Sequence, residues 1–258
     1  MPRADSYVSG LFAPRVSKTT VRSRVLTPLE ATSLSNGLRA DAADFYYSGW
    51  VSFLDALRGI NLGFYTWSKV KLYYSVFYAF RASLATDDIC AFHVDGSQFL
   101  VTARPGANPV SCLDRGTHKT VLKGFQRTNP AHPLMSQQIA LQDSVDWLIE
   151  RRESANYGQA RFSEPTCGPE FDFVLENSLR QAIVAYLQDT SLVYVFDPDH
   201  AMIAYPLRSL SLVGNQLAAA GVTSVEEDEQ RFLRSVARDR TGPLPPLLTE
   251  MRRLNLAS

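Results

Sequence analysis

The sequence is poor in the residues that mark specialised folds. It holds 3 cysteines, Cys90, Cys112 and Cys167, with no Cys-x-x-Cys pair and no histidine at a metal-ligand interval beside them. That excludes the usual signatures of a zinc module or a disulfide framework and predicts free thiols in a reducing, cytoplasmic setting, with no metal and no cofactor expected. The longest charge-free stretch, residues 209–225, is broken by Asn215, Gln216, Thr223 and Ser224, so no membrane partner is expected. The opening Met1-Pro2-Arg3-Ala4-Asp5 lacks the apolar core of a signal peptide. Charge of one sign is also missing: 26 basic residues cancel 26 acidic ones, so any polyanion surface must be a local patch. A Gly-rich phosphate loop, a Gly-x-Ser-x-Gly elbow, a His-Glu-x-x-His helix and a dinucleotide fingerprint are all absent, which removes the cheapest support for kinase, hydrolase, metalloprotease and dehydrogenase readings.

What remains is an ordinary globular composition, 45% hydrophobic and 20% charged, over 258 residues. At roughly 150 residues per domain that is one large domain or a small one with a sizeable elaboration. Residues 1–27 carry Arg3, Arg15, Lys18, Arg22 and Arg24 against the single acid Asp5 and show no helical period, predicting an extended basic arm. From 41 to 60, Phe45, Trp50, Phe53, Leu54, Leu57 and Ile60 recur at offsets of three, four and seven, which predicts an amphipathic helix. Asn61 and Gly63 break it, and a second helix over 66–85 is apolar around most of its circumference, as a central helix must be.

From residue 89 the period becomes two, and Asp95-Gly96 separates two β-favouring runs, predicting a hairpin over 89–103. A short helix over 117–125 N-capped by Thr117, a long helix over 135–155, a loop over 162–171 and a helix over 173–187 follow. Runs 192–196 and 201–205 flank Asp197-Pro198-Asp199 like a second short hairpin. Helices over 207–220, 225–238 (with the acidic first turn Glu226-Glu227-Asp228-Glu229) and 247–254, the last preceded by a rigid linker at 242–246, close the chain. The expected fold class is therefore mainly α: a helical bundle over 28–190, elaborated by two short β-hairpins and a C-terminal helical extension over 191–258.

The polar segment that stands out is Arg151-Arg152-Glu153-Ser154-Ala155-Asn156-Tyr157-Gly158 at a helix end. Arg152 and Asn156, four apart, share a face, and Tyr157 follows. A guanidinium suits a phosphate, an asparagine suits the same group or a ribose hydroxyl, and a tyrosine can stack on a base. The same residues have a purely structural assignment: Arg151 and Arg152 complement the helix dipole, Asn156 and Gly158 end the helix, and Tyr157 packs on the core. Each of the four histidines, His93, His118, His132 and His200, reads first as a surface or hydrogen-bonded side chain.

The run Tyr73-Tyr74-Ser75-Val76-Phe77-Tyr78-Ala79-Phe80-Arg81-Ala82-Ser83-Leu84-Ala85 resembles the Tyr-rich, small-residue helix of HEPN (higher eukaryotes and prokaryotes nucleotide-binding) domains. Arg152-Glu153-Ser154-Ala155-Asn156-Tyr157 is similar to the arginine motif that opens their active site. The resemblance spans about residues 40–190. It implies a helical bundle, a homodimer about a twofold axis, and a subunit of a larger antiphage-defence or toxin–antitoxin assembly that binds RNA or cleaves it without metal. The implied catalytic residues are Arg152, Asn156 and Tyr157, with Arg151, Arg81 and His118 as RNA-binding candidates. One departure matters: the family's arginine is followed after four to six residues by a histidine, and here Asn156 and Tyr157 stand in that place. Asparagine does not titrate near neutrality, whereas histidine does, so this form is similar to the binding or assembly modules of the family. His118, with Arg115 three residues before it, is the candidate replacement. The competing expectation is a structural adaptor that dimerises or docks on a larger effector. An Arg152 paired inside the bundle with Glu150, Glu153 or Asp172 favours the adaptor; one presented with Asn156 to an open basic groove favours RNA.

Overall fold

The computed structural model describes residues 1–114, 116–158, 160–222 and 226–252, with the side chain of Arg252 excepted. Arg115, the expected helix start at 225 and the expected helix end at 254 lie outside the described residues.

Two short helices, α1 (Arg3–Ser9) and α2 (Lys18–Ser23), precede a helical hairpin made of α3 (Pro28–Asn61) and α4 (Tyr65–Thr86). Helix α3 starts well before the apolar stripe that announced it because Thr27 and Glu30 form a reciprocal capping box with Pro28 at the first helical position. Its far end turns tightly into α4. Gly59 is required there, since a Cβ would collide with the Ser68 hydroxyl, which donates to the carbonyls of Ala56 (3.0 Å) and Phe64 (2.7 Å).

Strands β1 (Ile89–Val94), β2 (Ser97–Thr102) and β3 (Val110–Ser111) form an antiparallel sheet in that order, with Phe92 paired to Phe99 and the turn at Asp95-Gly96 as expected. Helix α5 (Thr117–Thr128) follows, then a 3₁₀ turn at Pro133–Met135 and a small hairpin of β4 (Gln138–Ile139) and β5 (Gln142–Asp143). Helix α6 (Ser144–Tyr157) is N-capped by Asp143, whose carboxylate accepts from Val145 (3.0 Å) and Asp146 (3.2 Å). After a second 3₁₀ turn at Pro169–Phe171 come α7 (Asp172–Asn177), α8 (Leu179–Gln188), α9 (Val193–Phe196), α10 (Ala201–Ala219), α11 (Glu227–Val236), the hairpin β6 (Arg238–Asp239) and β7 (Gly242–Pro243), and α12 (Pro245–Arg252).

The fold is mainly α. Its centre is α4, packed against α3, α10, α5 and α6. Trp50, Phe53, Tyr73, Phe80, Phe125 and Tyr205 are fully buried there, and Phe80 and Phe125 stack at 3.8 Å. No described helix is long and apolar enough to cross a membrane.

Several expectations are corrected. The hairpin expected from runs 192–196 and 201–205 is helical: α9 and the first turns of α10 occupy those runs. Residues 201–205 are buried on every side, and a short run that is apolar all round has no period by which strand and helix can be told apart. Helix α10 also continues past Pro206, which is buried inside it. The basic arm over 1–27 is not extended. The Asp41 carboxylate, itself buried, accepts from the backbone N–H groups of Arg3 (2.9 Å) and Ala4 (2.8 Å) and docks α1 on α3. Arg3 and Arg24 are ion-paired with Asp41, Asp44 and Glu30, leaving less free positive charge than the sequence suggests. Thr117 opens α5 but does not cap it; Gly116 holds the cap position. The helix expected over 135–155 begins only at Ser144, the one expected over 173–187 is split at Ser178, and the linker over 242–246 contributes a paired strand.

Candidate functional site

The nominated arginine helix lies on the Tyr-rich helix, and the contact is made by Arg152. Val145, Leu148 and Ile149 bury the apolar stripe of α6, and Arg152, three residues beyond Ile149, continues it inward. Its guanidinium carbon lies 4.9 Å from the centre of the Tyr73 ring, a cation–π contact, with the side chain only 16% exposed. Among the described residues the only carboxylate in reach is that of its neighbour Glu153, at 3.5 Å, and the buried Nε has no hydrogen-bond partner. Neither Arg151 nor Arg152 lies in the last turn of α6, so complementing the helix dipole does not account for them.

Tyr73 also receives His118 from the first turn of α5. The imidazole stacks on the Tyr73 ring at 5.7 Å and on Phe77 at 4.5 Å, meets Tyr74 edge-on at 5.2 Å, and its Nδ1 is 3.2 Å from the Tyr73 hydroxyl. At the other end of the stack Arg81 lies 5.7 Å from the Phe77 ring and 4.1 Å from that of Phe45. The result is a column along α4 running Arg81, Phe77, His118, Tyr73, Arg152: one imidazole between two aromatic rings, with a guanidinium at each end.

The electrostatics follow from that order. Burial first, then the positive charges of Arg152 and Arg81, hold His118 below its ordinary value of 6.5, so its neutral form prevails at physiological pH. Burial pushes the Tyr73 hydroxyl up, against the pull of Arg152, and keeps it protonated. Burial likewise lowers Arg81. With Nδ1–H donating to the Tyr73 oxygen, Nε2 carries the lone pair and can accept a proton; with the roles reversed it cannot.

No family model, curated protein or solved structure matches this chain. The site therefore rests on its own geometry.

Three of the six nominated residues, Arg152, His118 and Arg81, meet in the column. Asn156 is half-buried on the Arg152 side of α6 by its helical spacing, and no hydrogen bond to its side chain is made by the described residues. Tyr157 does not join the cluster: it is 80% exposed at the helix end. Arg151 points to the other flank of α6, its guanidinium over the Trp147 ring at 5.4 Å and 3.6 Å from Glu150. Tyr73, which opens the Tyr-rich run but was not itself a candidate, joins Arg152 to His118. Its signal was its place in that run, on a helix crowded with aromatics as a central helix commonly is. Among the described residues no group of three or more His, Cys, Asp or Glu side chains is arranged to hold a metal ion.

Proposed function

We propose that this chain is a HEPN-like, RNA-directed subunit of an antiphage-defence or toxin–antitoxin assembly, cleaving or binding RNA at the column of Arg152, Tyr73 and His118. The observation that supports it is the meeting of Arg152 and a neutral-leaning His118 on one tyrosine ring, which supplies from α5 the histidine missing from α6. The chemistry needs no metal. His118 Nε2 takes the proton of a ribose 2′-hydroxyl, the 2′-oxygen bonds to the adjacent phosphorus, and the bond to the 5′-oxygen breaks, with solvent protonating the leaving oxygen. Arg152 stabilises the charge that develops on the phosphoryl oxygens. A twofold pairing of α6 helices brings two such sites together, and exposed Tyr157 is then available to a base or to the partner.

The adaptor reading is supported by one observation: Arg152 is deep, and Glu153 touches it. Purified protein incubated with labelled single-stranded RNA in EDTA separates the two. Cleavage abolished in both Arg152→Ala and His118→Ala supports the nuclease. Binding without cleavage, lost in Arg152→Ala, supports the RNA-binding form. Cleavage unaffected by Arg152→Ala removes the site, and protein that neither binds nor cleaves RNA but co-purifies with a partner is the adaptor.

A further inference from the structure

On the opposite flank of α6 lies a cleft of about 120 Å³, lined by Thr66 and Lys69 from the start of α4, Arg151 from α6, and Arg161, Phe162 and Ser163 from the loop that follows α6. Ser154 and Ala155 of α6 complete the lining, which holds three cations, three hydroxyls and no acid. Lys69 is ion-paired with Glu170, so its charge is largely answered. The guanidinium groups are not. Arg161 makes no ion pair with any described residue, and Arg151 has only the 3.6 Å approach of Glu150, with its buried Nε unpartnered.

The cleft is preformed. The Glu164 carboxylate accepts from the Thr66 N–H (2.6 Å) and hydroxyl (2.7 Å), and the Phe162 and Trp67 rings meet edge-on at 5.8 Å; both contacts hold the loop against α4. Burial raises the Glu164 carboxyl but is outweighed by these bonds and by Lys69, leaving it below the ordinary value and ionised. Phe162, which lines the cleft, and Trp67 beside it are each 48% exposed.

The chemistry of the lining defines the ligand. Two guanidinium groups without a close acid partner suit a phosphoryl group, and the cleft is open to solvent on the side of Phe162. A bound phosphate would take bidentate hydrogen bonds from Arg151 or Arg161, while the rest of the ligand lies outside, against Phe162.

We infer that this cleft binds a nucleoside monophosphate, with its phosphate between Arg151 and Arg161 and its base on the Phe162 ring. The inference does not rest on the RNA reading, because neither Arg152 nor His118 lines the cleft.

Isothermal titration of the full-length protein with the four nucleoside 5′-monophosphates, adenosine and inorganic phosphate tests it. At least one monophosphate should bind more tightly than phosphate or adenosine. Its affinity should fall roughly tenfold or more in Arg161→Ala, an exposed position whose variant should keep the wild-type melting temperature, and in Phe162→Leu, which keeps an apolar contact with Trp67 and removes the ring. Arg231→Ala, at an exposed position that does not line the cleft, should leave that affinity unchanged. No heat with any monophosphate, phosphate binding as tightly as the best nucleotide, or affinity insensitive to Arg161→Ala each overturns the proposal.

Discussion

The molecule contains two histidine–tyrosine pairs built from the same parts. His118 Nδ1 lies 3.2 Å from the Tyr73 hydroxyl, and His200 Nδ1 lies 3.1 Å from the Tyr186 hydroxyl. Each imidazole is enclosed by further rings: Tyr74 and Phe77 around His118, Phe173 and Tyr194 around His200. The difference is what stands at the ends. The first pair has Arg152 over its tyrosine and Arg81 beyond its phenylalanine, whereas no cation–π contact reaches the rings of the second among the described residues. His200 instead occupies the N-cap position of α10, where it ties the α8–α9 segment to that helix. An aromatic cage around a histidine is thus a packing device used twice, and only the added guanidinium groups turn one copy into a candidate site.

The sharpest way to break that comparison is to remove each imidazole in turn. His118→Ala should lower RNA cleavage by about 10²- to 10⁴-fold, the usual worth of a general base, while His200→Ala leaves cleavage per folded molecule unchanged. Equal losses in the two variants would show that the cages serve only folding. Next in size is the loss of the shared hydrogen bond. Tyr73→Phe and Tyr186→Phe should each cost about 1 kcal/mol in urea unfolding, since both hydroxyls are largely buried and each has one partner. Only Tyr73→Phe should also change the pH dependence of cleavage, by freeing Nδ1.

The pH dependence offers a further test of the first cage. His118 is lowered by burial and then by Arg152 and Arg81, so its contribution to stability is complete above about pH 6.5 and is lost as the pH falls below that value. Removing one of the two charges with Arg152→Ala should move the His118 NMR titration back toward 6.5, though not all the way, because burial is the larger cause. A titration midpoint that does not move would mean that Arg152 does not act on the imidazole.

Much of this architecture was legible in the sequence, and the exceptions have physical causes. The turns Asp95-Gly96 and Ala140-Leu141 join antiparallel strands with two central residues at positive φ, yet only the first carries residues that favour that conformation. The second was hidden inside an expected helix because alanine and leucine normally signal one. The second cage was misread for a related reason, since residues 201–205 are uniformly buried and carry no period. At the site, the spacing of Arg152 and Asn156 placed them on one face, but whether that face looks outward or onto Tyr73 depends on how α6 packs. His118 reaches Tyr73 across 45 residues of chain, and nothing in one sequence records such a meeting. The cleft between 66–69 and 161–163 was unreadable for the same reason.

The smallest expected effect decides the most. Glu153 touches Arg152 at 3.5 Å and Lys119 at 3.7 Å, and its own side chain is 45% exposed. An exposed carboxylate at such distances contributes about 0–1 kcal/mol, so Glu153→Gln should leave the melting temperature nearly unchanged and RNA affinity equal or higher, as one negative charge leaves the neighbourhood of the phosphate. Were Glu153 instead the acid that locks Arg152 into the bundle, removing its charge would strand a desolvated guanidinium at a cost of about 3–5 kcal/mol. The unfolding midpoint of this one conservative variant therefore separates an arginine held ready on a tyrosine ring from one retired into the core, and with it the nuclease cage from a second copy of the structural one.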